Sequence, residues 1–107
     1  MGTTKVNIHR IDDLEVAAIA KVLSHPARVA ILKYIKDQKD CICTDITDEI
    51  GLSQATVSQH LQVIREAGLI HGNVKGKSLC YCLNKTNFNQ FSIVMEQFFK
   101  EILNKGS

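Results

Sequence analysis

Three glycines constrain what the middle of this 107-residue chain can fold into. Gly51, Gly68 and Gly76 each follow a short patterned segment and can take the positive φ that ends one. Before Gly51, Thr44 can cap a brief helix to Ile50, with Asp45 in its favourable first turn. After Gly51, Ser53 can cap a second helix that runs to Ala67, where Gly68 stops it. Residues 69–74 and 78–83 then read as two strands, with Lys75-Gly76-Lys77 as their turn. A short helix, a tight glycine turn and a capped second helix make a helix-turn-helix. The hairpin directly behind it makes the unit winged.

The flanks complete the pattern. Ile11, Leu14, Ala18 and Val22 fall at helical spacing, so residues 11–23 read as an amphipathic helix. Ser24-His25-Pro26 breaks it. Pro26 suits the first turn of a new helix, where its missing N–H costs nothing, and His25 caps that helix. Val29, Leu32 and Ile35, with Ile31, form its apolar stripe to about Lys36. Cys41-Ile42-Cys43 is short and β-leaning, and residues 84–87 read as a connector. Phe88, Phe91, Met95, Phe98 and Ile102 repeat at spacings 3, 4, 3, 4, a heptad stripe on a final helix. The expectation is one mostly α domain over residues 1–107, a winged helix-turn-helix of about five helices and a two-stranded wing. Within it the helix-turn-helix spans about 44–67 and the wing about 69–83. The last stripe is wider and more aromatic than one small core needs, and Ile11, Leu14 and Ala18 offer a second apolar face. Both point to a homodimer through helices at about 11–23 and 88–103.

Composition narrows the function classes. Hydrophobic residues at 45% and charged residues at 22% are ordinary for a globular protein. No apolar run is long enough for a signal peptide or a bilayer span, so the chain reads as cytosolic, with no membrane partner. Four cysteines in that setting read as working thiols rather than disulfides. No glycine-rich phosphate loop, paired-carboxylate cleft or histidine-oriented nucleophile stands out, so no enzyme and no organic cofactor is expected. The net charge is only +2, but residues 37–49 sum to −4 and residues 51–86 to +3. One face of the fold should be positive.

The helix from Ser53 is the most informative. With Val57, Leu61 and Ile64 on the core face, Ala55, Thr56, Gln59 and Gln62 point away. That outer face carries amides, a hydroxyl and a methyl group, and no acid before Glu66. Such groups read base edges: glutamine pairs with adenine, threonine bonds to several bases, and methyls pack on thymine. Ser53, Gln54 and Ser58 sit near the helix start, where hydroxyls and free N–H groups suit phosphates. Lys75 and Lys77 at the wing tip would reach flanking phosphates or a minor groove.

Residues 53–61, Ser-Gln-Ala-Thr-Val-Ser-Gln-His-Leu, followed by Arg65-Glu66-Ala67-Gly68-Leu69-Ile70, resemble the recognition helix of the ArsR/SmtB family of metal-responsive repressors. Leu23-Ser24-His25-Pro26-Ala27-Arg28 and Ile31-Leu32 are similar to the family's second-helix signature. The resemblance covers roughly residues 14–85. It implies a homodimeric repressor that binds double-stranded operator DNA until an inducer arrives. Two recognition helices about 34 Å apart match successive major grooves, so the operator should be an imperfect inverted repeat.

Cys41-x-Cys43 and Cys80-x-Cys82 are the sensor candidates. Thiolates are soft ligands and select thiophilic ions over Mg²⁺ or Ca²⁺. Asp40-Cys41-Ile42-Cys43-Thr44-Asp45 resembles the family's inducer motif, which implies Cys41 and Cys43 as ligands for trivalent arsenic, antimony or soft divalent metals. The arsenic version often adds a cysteine three positions on, where this chain has Ile46. The cadmium and lead version adds cysteines in the N-terminal arm, where this chain has only His9. Geometry offers Cys80 and Cys82 instead. In a winged helix the strand before the helix-turn-helix pairs with the second wing strand, and alternation puts both of these cysteines on one face. The four are then expected to converge within one subunit, although Cys80 and Cys82 could also serve as core packing. Arsenic leads; Zn²⁺ or Cd²⁺ and thiol oxidation are alternatives. From another class, a zinc-stabilised winged helix could bind protein. His9 and His71 are unassigned and could each be a supplementary ligand, and His60 reads as a packing or phosphate residue. The family's other metal site, on the last helix, is not expected, because Asn87, Asn89 and Glu96 stand there without a histidine.

Overall fold

The computed structural model describes residues 11–43, 51–76 and 78–104. Four helices and three strands follow one another: α1 (Ile11–Val22), α2 (Pro26–Asp37), β1 (Cys41–Ile42), α3 (Gln54–Glu66), β2 (Ile70–Lys75), β3 (Ser78–Leu83) and α4 (Lys85–Leu103). The brief helix expected before Gly51 lies outside the described residues. About five helices and a two-stranded wing were expected; four helices are described, and β1 joins the wing to make a three-stranded antiparallel sheet in the order β1-β3-β2.

Caps set the helix starts. Pro26 occupies the first turn of α2, and His25 Nδ1 accepts from the Ala27 N–H at 3.1 Å. Ser53 Oγ accepts from the Thr56 N–H at 3.2 Å and opens α3. Asn84 does the same for α4, accepting from the Asn87 N–H at 3.1 Å. The expected connector at 84–87 is therefore the first turn of the last helix. Its side chains are polar, so an apolar stripe does not report it.

One core joins the elements. Val22, Ile31, Leu32, Ile35, Ile42, Val57, Leu61, Ile64, Leu69 and Ile70 are buried together. Phe88 and Phe91 of α4 pack against this cluster, half-buried. Gly68 turns the chain from α3 to β2 at φ +85°, and Asn87 Nδ2 donates to its carbonyl at 2.8 Å. A Cβ at Gly68 would lie 2.9 Å from that amide nitrogen. The end of α3 is thus tied to the start of α4.

α4 has 19 residues and buries none of them, although it carries the heptad stripe. It lies against α1. Leu14, Ile93, Phe99, Ile102 and Leu103 of this pair remain exposed. The inward residues of α1 are Ile19 and Val22, and Leu14 is left on its outer side. No described helix is long and apolar enough to cross a membrane.

Candidate nucleic-acid interface and cysteine cluster

Three residues of α3 expected to face the core do so: Val57, Leu61 and Ile64 are 3%, 5% and 0% exposed. Ser53, Gln54, Ala55, Ser58, Gln59 and Gln62 are exposed, and Thr56 is half-buried. Three of these already have partners. Ser53 Oγ and Thr56 Oγ1 are 2.9 Å apart, so the hydroxyls order each other at the helix start. Gln62 Nε2 donates to Glu66 Oε2 at 2.9 Å, which occupies its amide with an acid one turn on. Gln54, Ser58 and Gln59 present polar groups to solvent near the N-terminal half of the helix. Lys75 ends β2 in register with Ser78, and Lys77 lies outside the described residues.

Behind this face, α3 is anchored to α2 through a polar cluster that sequence reading did not assemble. His60 is 8% exposed, and its ring lies 4.5 Å from that of His25. Arg28 Nη1 is 3.3 Å from His60 Nδ1, while Arg28 also donates to the carbonyls of Val22 and Lys21 at 2.8 and 2.9 Å. One guanidinium therefore holds the α1–α2 turn and α3 together. Burial, then the neighbouring His25 and Arg28, holds the His60 imidazole below its ordinary pKa. Thirty-two residues separate Arg28 from His60, so no local pattern links them.

The cysteine face is defined by register. Cys41 of β1 stands opposite Cys82 of β3, and Ile42 opposite Tyr81. Across β2, His71 stands opposite Cys82 and Asn73 opposite Cys80. Side chains alternate, so Cys80, Cys82, His71 and Asn73 share one sheet face with Cys41. The other face carries Ile42, Ile70, Tyr81 and Leu83, which pack on the core. Cys80 and Cys82 therefore do not point into the helical core, although they are only 1% and 8% exposed.

All four cysteines come together within one chain, in two disulfides, Cys41–Cys82 and Cys43–Cys80. This corrects the expectation of free thiols. The cause is register: the paired Cα atoms are only 4.0 and 3.9 Å apart, the close approach of directly opposed antiparallel residues. Asn73 Nδ2 also approaches Cys82 Sγ at 3.8 Å. Hairpin parity about Gly76 could have placed Asn73 and His71 beside the cysteines. In the paired state no group of three His, Cys, Asp or Glu side chains among the described residues is arranged for a metal. Reduction would release four soft donors on one face. His9 and Ile46 lie outside the described residues.

A capped helix with an apolar inner face, backed by a three-stranded sheet with a hairpin, defines the winged helix-turn-helix class. The profile of the bacterial regulatory proteins of the arsR family matches residues 25–71. The transcriptional regulator NmtR of Mycobacterium tuberculosis is 34% identical over 76 residues, 71% of this chain and 62% of that protein. The biofilm growth-associated repressor of Xylella fastidiosa is 32% identical over 76 residues, 71% of this chain and 66% of that protein. The chain thus spans just under two-thirds of the length of each of these two relatives. In fold it is similar to the homodimeric winged helix-turn-helix DNA-binding domain of a possible ArsR-family regulator from Mycobacterium bovis. That similarity has a TM-score of 0.66 at 19% identity and covers 100% of this chain and 98% of that one. Residues 25–71 thus carry the helix-turn-helix domain of the arsR family, in a chain whose relatives are named as ArsR/SmtB-type transcriptional regulators. Its named relatives are regulators, not enzymes.

Proposed function

We propose that the chain is a dimeric, operator-binding transcriptional repressor that releases DNA when a thiophilic inducer takes up its reduced cysteines. The observation that carries this reading is the convergence of Cys41, Cys43, Cys80 and Cys82 at the root of the wing, where β1 leads toward α3. Drawing β1 and β3 into a new thiolate geometry would re-aim the recognition helix. A coupling of about 1–3 kcal/mol, common in allostery, lowers operator affinity roughly 5- to 150-fold.

Gln54, Ala55, Thr56, Ser58 and Gln59 are the residues that would meet DNA, with Ser53 at the phosphates and Gln62 secondary because Glu66 holds it. Lys75 and Lys77 would touch the flanks. Exposed apolar residues on α1 and α4 support self-association. Trivalent arsenic leads among inducers: three thiols replace the hydroxyls of arsenous acid and release water. Four thiolates would also suit tetrahedral Zn²⁺ or Cd²⁺. This reading requires reduced cysteines, and so a reducing, cytoplasmic setting.

The test is fluorescence anisotropy of reduced protein on labelled DNA from upstream of its own coding region. Binding released by arsenite, and rendered insensitive by Cys41→Ser/Cys43→Ser, is expected. Binding indifferent to arsenite but released by Zn²⁺ or Cd²⁺ would change the inducer. Absence of binding even at low salt would overturn the repressor, and unfolding by chelators would favour a zinc-held interaction module.

A further inference from the structure

We infer that Cys43 is the site at which hydroperoxides modify this protein, that Cys80 closes the first disulfide, and that this bond makes the repressor deaf to its inducer. The last clause rests on the regulator reading above; the order of modification does not.

The four cysteines differ in access. Cys43 is exposed and Cys41 half-buried, while Cys82 is 8% and Cys80 1% exposed. A reagent from solvent therefore meets Cys43 first. Its thiolate attacks the terminal oxygen of the hydroperoxide, the O–O bond breaks, and an alcohol leaves after protonation. The sulfur, oxidised by two electrons, becomes a sulfenic acid. Cys80 stands directly across the strand pair, its Cα 3.9 Å away. Its thiolate attacks the sulfenic sulfur, the S–S bond forms, and hydroxide departs as water. The Cys41–Cys82 pair follows second, because Cys41 is less accessible.

The consequence comes from counting donors. Once Cys43 and Cys80 are joined, only Cys41 and Cys82 remain as thiols. Two is fewer than the three that trivalent arsenic takes. The bond is accommodated in the same sheet register that supports the wing and α3. The oxidised repressor should therefore keep its DNA-binding form while losing its response.

The experiment treats fully reduced protein with one equivalent of hydrogen peroxide, blocks remaining thiols with N-ethylmaleimide, and maps cross-linked peptides by mass spectrometry. The expected first product is Cys43–Cys80. Cys43→Ser should consume peroxide several-fold more slowly, and Cys41→Ser at the wild-type rate. In parallel, the one-disulfide protein should bind the labelled operator as the reduced protein does, with arsenite no longer releasing it. A first cross-link at Cys41–Cys82, or unchanged reactivity in Cys43→Ser, would overturn the assignment of Cys43. Release by arsenite despite the bond, or loss of DNA binding on forming it, would overturn the deafness. If the reduced protein ignores arsenite, the inducer reading fails, while the peptide map still decides the order.

Discussion

His60 carries a proton balance that links stability to pH. Its imidazole is held below its ordinary value by burial, then by His25 and Arg28, so the fold prefers it neutral. The unfolded chain has no such preference. As pH falls through the ordinary imidazole range near 6.5, the unfolded state takes up a proton first, and folding weakens until His60 protonates in the fold too. Thermal melts should show Tm level above neutrality and falling between about pH 7 and the lowered value. In His60→Leu that fall should shrink. Gly68 gives a second residue-scale prediction. Alanine there must hold φ +85° and push aside the Asn87 amide that bonds the Gly68 carbonyl. A loss of about 1–3 kcal/mol in urea unfolding is expected, from left-handed strain and a weakened hydrogen bond.

α3 is the element whose roles separate most cleanly. Gln59 is exposed, and among the described residues its side chain makes no hydrogen bond. Gln59→Ala should leave melting unchanged and lower operator affinity by about 1–3 kcal/mol, if the side chain reads a base. Ser53→Ala removes the cap on the Thr56 N–H and should cost about 1 kcal/mol of stability in urea melts. The sequence made this helix legible, because its cap, its inner apolar spacing and its acid-poor outer face all sit within 14 residues, 53–66. The wing was legible for the same reason, as was the shared face of Cys80 and Cys82. The partner of each cysteine was not. Pairing Cys41 with Cys82 depends on the β1–β3 register, set by contacts between segments about 40 residues apart. The start of α4 was hidden by its polar first turn. The Arg28–His60 contact was hidden by its sequence distance.

At the scale of the whole molecule, α4 is the element left unfinished by one chain. Nineteen residues span about 28 Å, and not one is buried. Phe99 and Ile102 are 54% and 66% exposed, so replacing them should leave the monomer folded. The double change Phe99→Glu/Ile102→Glu is expected to shift sedimentation from dimer to monomer, with circular dichroism retained and operator binding lost. Paired recognition helices would also fix the DNA: adding about half a helical turn (~5 base pairs) between half-sites should abolish tight binding.

The division of the sheet into two faces has a further consequence for how such a regulator can change. Ile42, Tyr81 and Leu83 hold the scaffold, and the positions between and beside them hold the sulfur chemistry. Because the two sets interleave with a period of two, donor atoms can be exchanged one by one without redrawing the hydrophobic pattern. A single-residue insertion or deletion within β3, by contrast, would turn sulfur toward the interior and leucine toward solvent. Chemical selectivity can thus drift freely across descendants of this chain through point changes, while the lengths of its strands stay frozen.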